Sequence, residues 1–245
     1  MDLKLTDKIA LVTGAGSQIG YGRQIALTLA GEGCHVACAD IDEAGAKQTA
    51  GQVAALGRRS LGLRMDVTNQ TEVDAAVKQA ADTFGRIDIL VNNAGASSDL
   101  RPFLQMTDAD WAKDIGINLM GQMRVARAVL PVMLGQHYGR IIFTSGGQGI
   151  PNISVYGAAK GGIVQFMKAL AREVAPQGVI VNAVGPGLGK TGLVHGAPQE
   201  FLESERNRSA LKRLCSPEDV APVVAFLASD VCSYMIGGLV QLSTG

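Results

Sequence analysis

Short apolar runs and longer amphipathic stretches alternate along the whole chain. Ile9–Val12, His35–Ala39, Ser60–Arg64, Ile87–Val91, Arg140–Thr144, Val179–Ala183 and Leu239–Leu242 have the length and character of strands. Helical patterns fill the intervals at Gly22–Gly31, Glu43–Leu56, Gln70–Phe84, Asp108–Leu134, Val155–Ala175 and Pro217–Ala228. Thr107 before Asp108 and Ser216 before Pro217 stand where N-caps stand. Strand–helix alternation of this kind predicts βαβ units. The expected fold is α/β: a doubly wound, Rossmann-like parallel sheet of about seven strands with helices on both faces. No Pro- or Ser-rich linker interrupts residues 1–245, so one domain is expected. The least regular stretch, Gly185 to about Arg208, reads as a mobile loop with one short helix. Sheets of this class bind ligands beyond the carboxyl ends of their strands, so the residues after each strand matter most.

Composition narrows the function. Acidic and basic residues balance at 22 each, and aromatics are only 4% of the chain, which gives no basic footprint for nucleic acid. No apolar run approaches the roughly 18 residues of a membrane-spanning helix. The N-terminus is too polar for a secretory signal, so a cytoplasmic protein is expected. Cys34, Cys38, Cys215 and Cys232 lack Cys-x-x-Cys spacing and read as reduced thiols, with Cys34 and Cys38 as packing residues. Three scattered histidines predict no metal site, and His195 is expected to be a solvent-exposed loop residue.

Two clusters carry chemistry. After the first strand comes Thr13-Gly14-Ala15-Gly16-Ser17-Gln18-Ile19-Gly20-Tyr21-Gly22, which opens a helix. Glycines let the backbone turn tightly and approach a pyrophosphate seated on the helix N-terminus. The second strand ends in Ala39-Asp40-Ile41, and an acid there can hold a ribose diol and repel a 2′-phosphate. Together they predict dinucleotide binding with NAD preferred, through Gly14, Ser17, Gln18, Gly20, Tyr21, Asp40 and Ile41. Farther on, Tyr156 and Lys160 are one helical turn apart, on one face. A phenol beside an ammonium is an acid–base pair, and the cation is expected to lower the phenol's pKa toward working pH.

In this order, each after its own strand, the motifs resemble those of the short-chain dehydrogenase/reductase family, in its compact single-domain form. The resemblance covers essentially the whole chain. It implies that Asp66 and Val67 contact the adenine, and that Asn93, Ala94 and Gly95 support the cofactor. It further implies that Tyr156 and Lys160 touch the nicotinamide ribose, and that Pro186, Gly187 and Thr191 hold the carboxamide. Asn118 then aids a water-linked proton relay, Ser145 polarises the substrate oxygen, and Tyr156 is the general acid/base. The implied activity is NAD-dependent interconversion of a secondary alcohol and a ketone by a cytoplasmic homotetramer. Met120, Met123, Val164 and Met167 are candidates for a face exposed in an isolated subunit, and Trp111 is expected to anchor its helix in the core or at a subunit contact.

The chain departs from the family pattern in places. The distance from Thr13 to Asp40 implies a two-residue insertion, with Gly20-Tyr21-Gly22 as the late glycines and Tyr21 in an aliphatic slot. The fifth strand ends Ser145-Gly146, and the loop to Tyr156 is short. Ser145 is favoured as the polarising hydroxyl. Gly146 in that slot would leave no hydroxyl, and Ser154 is a third candidate better read as the cap of the Tyr156 helix. The chain's Leu-Ser-Thr-Gly ending also departs from the family, with consequences for packing rather than chemistry. Two other functions are weighed: an NADPH-dependent 3-oxoacyl-thioester reductase, for which Arg23 is the basic residue on offer, and a non-catalytic dinucleotide-binding regulator or scaffold. The expected substrate lining comes from Ser97–Leu100, Gly147–Val155 and Leu188–Phe201 and carries few charges.

Overall fold

The computed structural model describes residues 2–97, 100–147, 149–189 and 199–242. Seven strands form one all-parallel sheet: β1 (Ile9–Thr13), β2 (His35–Asp40), β3 (Ser60–Arg64), β4 (Ile89–Asn92), β5 (Gly139–Thr144), β6 (Val179–Pro186) and β7 (Leu239–Leu242). Their order is β3-β2-β1-β4-β5-β6-β7. Among the described residues the α-helices are α1 (Tyr21–Gly31), α2 (Glu43–Ala55), α3 (Gln70–Phe84), α4 (Asp108–Ile115), α5 (Gln122–Gln136), α6 (Ser154–Val174), α7 (Gln199–Arg208) and α8 (Pro217–Ala228).

Alternate residues of each strand face opposite cores. Ile9 and Leu11 join Ala37 and Ala39 in the layer closed by α3, α5 and α6. Ala10 and Val12 join Val36 and Cys38 in the layer closed by α1, α2 and α8. Every residue of β1, β4 and β5 is buried, as doubly covered parallel strands require. The strand order reverses direction between β1 and β4, so the connections leave these two strands on opposite faces and a crevice opens beyond their ends. Among the described residues, no helix is long and apolar enough to cross a membrane.

Three sequence expectations are corrected. The pattern over Asp108–Leu134 reads as one helix, but a π-helical turn, Gly116–Gly121, separates α4 from α5. Asn118 sits in that turn and sends its amide Nδ2 to two carbonyls, Ala96 O at 2.5 Å and Asp114 O at 2.9 Å. Thr107 does cap α4, through a reciprocal box with Asp110. Ser154, by contrast, caps nothing: it is the exposed first residue of α6, whose N-cap position is Ile153. Finally, Val164 and Met167 belong to the core, whereas Met120 is exposed. Their spacing on α6 turns them toward β5 and β6 rather than outward. Trp111 is 38% exposed and stacks on Phe103 with ring centroids 5.4 Å apart.

Candidate active site

The ends of β1 and β4 are stitched together before any ligand is considered. Thr13 Oγ1 accepts from the amides of Asn93 and Ala94, each at 3.0 Å. Asn93 Nδ2 donates to Thr13 O and Gly14 O at 3.0 and 3.2 Å. Gly14 turns there with φ +69°, and a Cβ on it would lie 2.8 Å from Ala94 Cα. Gly22, in the first turn of α1, packs directly on the Gly14 carbonyl, so a side chain at either position would push the helix off the strand. These are the first and last glycines of the turn, and the residues between them form a loop closed by Gly20 N–H donating to Ser17 O at 3.1 Å.

No side chain caps α1, whose N-cap is Gly20, so its first-turn amides are left for a ligand. They open on a cavity of about 360 Å³ lined by Gly14, Ser17, Gly20 and Tyr21 on one wall and by Pro186 and Gly187 on the other. An adjoining hollow of about 140 Å³ lies beyond Asp40 and is bordered by Ile41, Asp66, Val67, Ala94 and Gly95. Asp40 borders both cavities. Its Oδ2 accepts from Gly16 N–H at 2.7 Å and its Oδ1 from Asp42 N–H at 3.0 Å, so this carboxylate also fastens the glycine-rich turn. Asp66 Oδ1 accepts from the amide and hydroxyl of Thr68. Gln18 lines neither cavity. Its amide bonds Gly16 O, Gly45 O and Thr49 Oγ1, and it holds α2 against the turn. Arg23 is held by Gln52 at 2.8 Å and also lines neither. Thr191 and His195 lie outside the described residues.

Tyr156 and Lys160 come from α6 into the larger cavity, joined there by Thr144 and Ser145 from the end of β5. Lys160 is almost wholly buried, and its Nζ donates to Thr144 O at 3.0 Å. The same carbonyl accepts from Gln122 Nε2 at 3.1 Å, and Gln122 Nε2 also reaches Asn118 O at 3.0 Å. Gly95 lets Asn118 and Lys160 approach: a Cβ there would fall 2.9 Å from Asn118 Oδ1 and 3.4 Å from Lys160 Nζ. Asn118 Oδ1 itself is buried and has no hydrogen-bond donor among the described residues. Gly147, with φ +67°, lies against the Tyr156 ring so closely that a Cβ would collide with it.

The electrostatics differ from the sequence expectation. Burial pushes the Tyr156 phenol well above its ordinary pKa, and the nearby Asp114 adds to the rise. Burial pulls Lys160 down to about 7. Desolvation outweighs the mutual effect of the two groups, because both sit in the protein interior where a charge loses its hydration. Near neutral pH the free protein therefore holds a neutral phenol beside an amine whose burial disfavours its charged form.

The structure brings Ser145 to this cavity and keeps Ser154 out of it. Ser145 Oγ donates to Lys160 O at 3.0 Å, within α6. Gly146 has φ +113°, and a Cβ there would meet Pro186 O at 2.9 Å, so the chain's own geometry favours glycine at this place. Of the expected substrate lining, Ile150 and Leu188 border the cavity while Pro151 and Asn152 are exposed. Sequence reasoning missed Thr13, Asp114, Gln122 and Thr144, whereas Ile153 lies within the expected lining and borders the cavity. The spacing of Gln122 four residues after Asn118 was the one available signal. Thr144 acts through its main chain, which carries no mark in the sequence.

Comparison with known proteins agrees with this architecture. The family model described as enoyl-(acyl carrier protein) reductase matches residues 14–245. A 3-oxoacyl-[acyl-carrier-protein] reductase of Thermotoga maritima is 34% identical over 99% of this chain and 99% of its own. Cis-4-hydroxycyclohexanecarboxylate dehydrogenase of Sinomonas cyclohexanicum is 36% identical over 98% and 96%. Among solved structures, NAD+-bound xylitol dehydrogenase superposes with TM-score 0.91 at 30% identity, covering 99% of this chain and 100% of that one. The 3-ketoacyl-(acyl-carrier-protein) reductase of Brucella melitensis, complexed with NADH, does so with TM-score 0.92 at 32% identity, covering 99% of each. With its seven-stranded parallel sheet, its glycine-rich turn and its Tyr156–Lys160 helix, the chain belongs to the short-chain dehydrogenase/reductase family of oxidoreductases.

Proposed function

We propose that the protein is an NAD(H)-dependent oxidoreductase that interconverts a secondary alcohol and a ketone, with Tyr156 as the proton carrier. The observation that carries this reading is the convergence in one crevice of an uncapped helix N-terminus, a carboxylate at the end of β2 and the Tyr156–Lys160 pair. The dinucleotide fits the residues present. The amides opening α1 would take the pyrophosphate, and Asp40 the adenosine ribose diol. The hollow beside Asp66 and Val67 would take the adenine, and Pro186 and Gly187 would border the nicotinamide. NAD, when bound, supplies the hydride acceptor and NADH the donor; the chain's own residues orient the substrate and move the proton.

In reduction, the neutral Tyr156 hydroxyl gives its proton to the forming alkoxide. In oxidation it takes the alcohol proton, which requires the phenol to have been ionised first. Lys160 stabilises that phenolate when protonated, and Asn118, at the π-turn, is assigned to a water-linked path away from Lys160. Ser145 is assigned to the substrate oxygen, toward which its hydroxyl must turn from the Lys160 carbonyl that accepts its hydrogen bond. Ile150, Ile153 and Leu188 give the substrate end an apolar border, which suits a cyclic or medium-sized ketone.

A second reading, reduction of a 3-oxoacyl thioester, is favoured by the names of several relatives. It differs in substrate, and in its NADPH form Asp40 opposes it. The protein is proposed to act as a cytoplasmic homotetramer. A screen of secondary alcohols, ketones and 3-oxoacyl thioesters with NAD(H) and NADP(H) tests both readings. Turnover only with thioesters and NADPH would replace the first by the second, and no turnover with any pair would leave a dinucleotide-binding regulator.

A further inference from the structure

Tyr21 opens α1 on one wall of the cofactor crevice, yet its hydroxyl ends on the other. It donates to Gly187 O at 3.2 Å, across 166 residues of sequence. The oxygen lies directly on the Cα of Gly189, where a Cβ would overlap it. Gly189 in turn forms a parallel bridge with Cys215, and Cys215 N–H donates to Leu188 O at 3.0 Å. The Cys215 thiol neighbours the same phenol. Burial raises the phenol's pKa, so the hydroxyl keeps its proton and stays a donor. Tyr21 thus joins the two walls of the crevice. The joint lies between the turn assigned to the pyrophosphate and the segment assigned to the nicotinamide.

We infer that Tyr21 is a positioning residue, a clasp that ties the glycine-rich turn to Gly187–Gly189 and so sets the place of the nicotinamide half of the cofactor. The phenol length is what allows it. An aliphatic residue at this position would pack against the crevice but could not reach the Gly187 carbonyl with a donor. The inference rests on the dinucleotide reading above for its ligand, and on the hydrogen bond and the Gly189 contact for its mechanism.

The test uses Tyr21→Phe, which keeps the ring and removes only the donor. In the cofactor-free protein, amide hydrogen exchange at Gly189 and Cys215 should quicken by about five- to tenfold, the equivalent of one hydrogen bond. The Kd for NADH, followed by its fluorescence, should rise by a similar factor, while the Kd for AMP, which lacks the nicotinamide half, should stay within about twofold. Gly189→Ala, which places a carbon where the hydroxyl sits, should reproduce both changes and should not add to Tyr21→Phe. Unchanged exchange with unchanged NADH affinity would overturn the clasp. An equal loss for NADH and AMP would overturn it too, since that would mark a general collapse of the turn. If the wild-type protein binds neither NADH nor AMP while exchange still responds to Tyr21→Phe, the cofactor reading fails and the joint between the walls stands.

Discussion

The side-chain nitrogen of Lys160 donates to the main-chain carbonyl of Thr144 at 3.0 Å, a bond that runs from the inner face of α6 to the last residue of β5. It places the amine beneath the cavity floor and out of water, and the amine's pKa falls to about 7 as a result. The neighbouring Tyr156 phenol moves the other way. An acid–base pair of this kind is set for proton donation near neutral pH. From pH 6 to 8, ketone reduction should therefore be favoured toward the acid side of this range and decline as Lys160 loses the charge that stabilises the phenolate left behind. For alcohol oxidation, kcat/KM should climb with pH through that range and beyond, because it reports the free protein's groups. Tyr156→Phe should abolish both directions with NADH binding nearly intact. An oxidation profile that is already flat at pH 7 would show that the phenol is ionised there, contrary to its burial.

The same burial makes Lys160 a pH-dependent load on the fold. Its folded pKa lies below the unfolded value of about 10.4, so the unfolded chain binds the extra proton and stability is lowest below about pH 7. It rises as pH climbs from about 7 toward 10. Tyr156, Cys34 and Cys38 have raised values, the thiols near 12, so each gives stability that is present below its unfolded pKa and lost at more alkaline pH. The Lys160 effect is isolated by difference. Lys160→Met should be more stable than wild type at pH 6, by an amount on the order of a few kcal/mol, and the gap should close by pH 10. Gln122 still donates to Thr144 O in that variant, so the carbonyl keeps a partner. A gap that does not change with pH would mean that Lys160 is not desolvated.

Asp40 has two tasks in this structure, and they predict a composite phenotype. It fastens Gly16 at 2.7 Å and it borders the adenosine end of the crevice. NAD should be preferred to NADP in kcat/KM by about 10²-fold or more, the sum of a lost charge-assisted hydrogen bond and repulsion of a 2′-phosphate. Asp40→Ala should narrow that ratio, and should also weaken NAD binding by loosening the Gly16 amide. Equal use of the two cofactors by the wild-type protein would refute the assignment.

Much of this was legible in the chain because both the sheet and the crevice are set by local pattern. Short apolar runs marked all seven strands, the central ones buried on both faces and the edge strands β3 and β7 only in part, and turn glycines marked the close approach of Gly14 and Gly22. What escaped was set by tertiary contact. The π-turn at Asn118 depends on an amide reaching Ala96 O, a residue far away in sequence, and no helical periodicity shows it. Gln18 sits in a motif whose residues border phosphates, yet it turns to α2, because Thr49 and Gly45 offer it partners there. The direction of the Tyr156 shift was missed for a related reason. Spacing reveals that a cation is near, but not how much water both groups lose.

The serines can be separated by two single variants. Ser145 must surrender its bond to Lys160 O, worth about 1 kcal/mol, before it can serve a substrate oxygen. A donor to a developing oxyanion is typically worth about 10²–10³ in kcat. Net of that exchange, Ser145→Ala should cost about 10- to 100-fold in kcat, with NADH affinity unchanged. Ser154 is exposed and caps no helix, so Ser154→Ala should be silent in both turnover and stability. A silent Ser145→Ala would leave Tyr156 as the sole group polarising the substrate.

Assembly is predicted by the surface. Leu104 is 95% exposed, and Phe103, Trp111 and Met120 present further large apolar area on and beside α4. Single exposed apolar residues are ordinary, but a stacked Phe103–Trp111 pair with Leu104 next to it is a patch of the kind that subunits cover. Light scattering at micromolar concentration should give a mass near that of four protomers. Because Trp111 is the chain's one tryptophan, its emission reports on that patch alone. It should lie at the short wavelengths of a covered indole in the assembled protein and move to longer wavelength in Leu104→Glu, together with a fall in mass. Should the wild type scatter as a monomer, this patch does not join subunits. Should Leu104→Glu remain a tetramer with unchanged emission, the tetramer is built on another face, and the stacked pair stays in water.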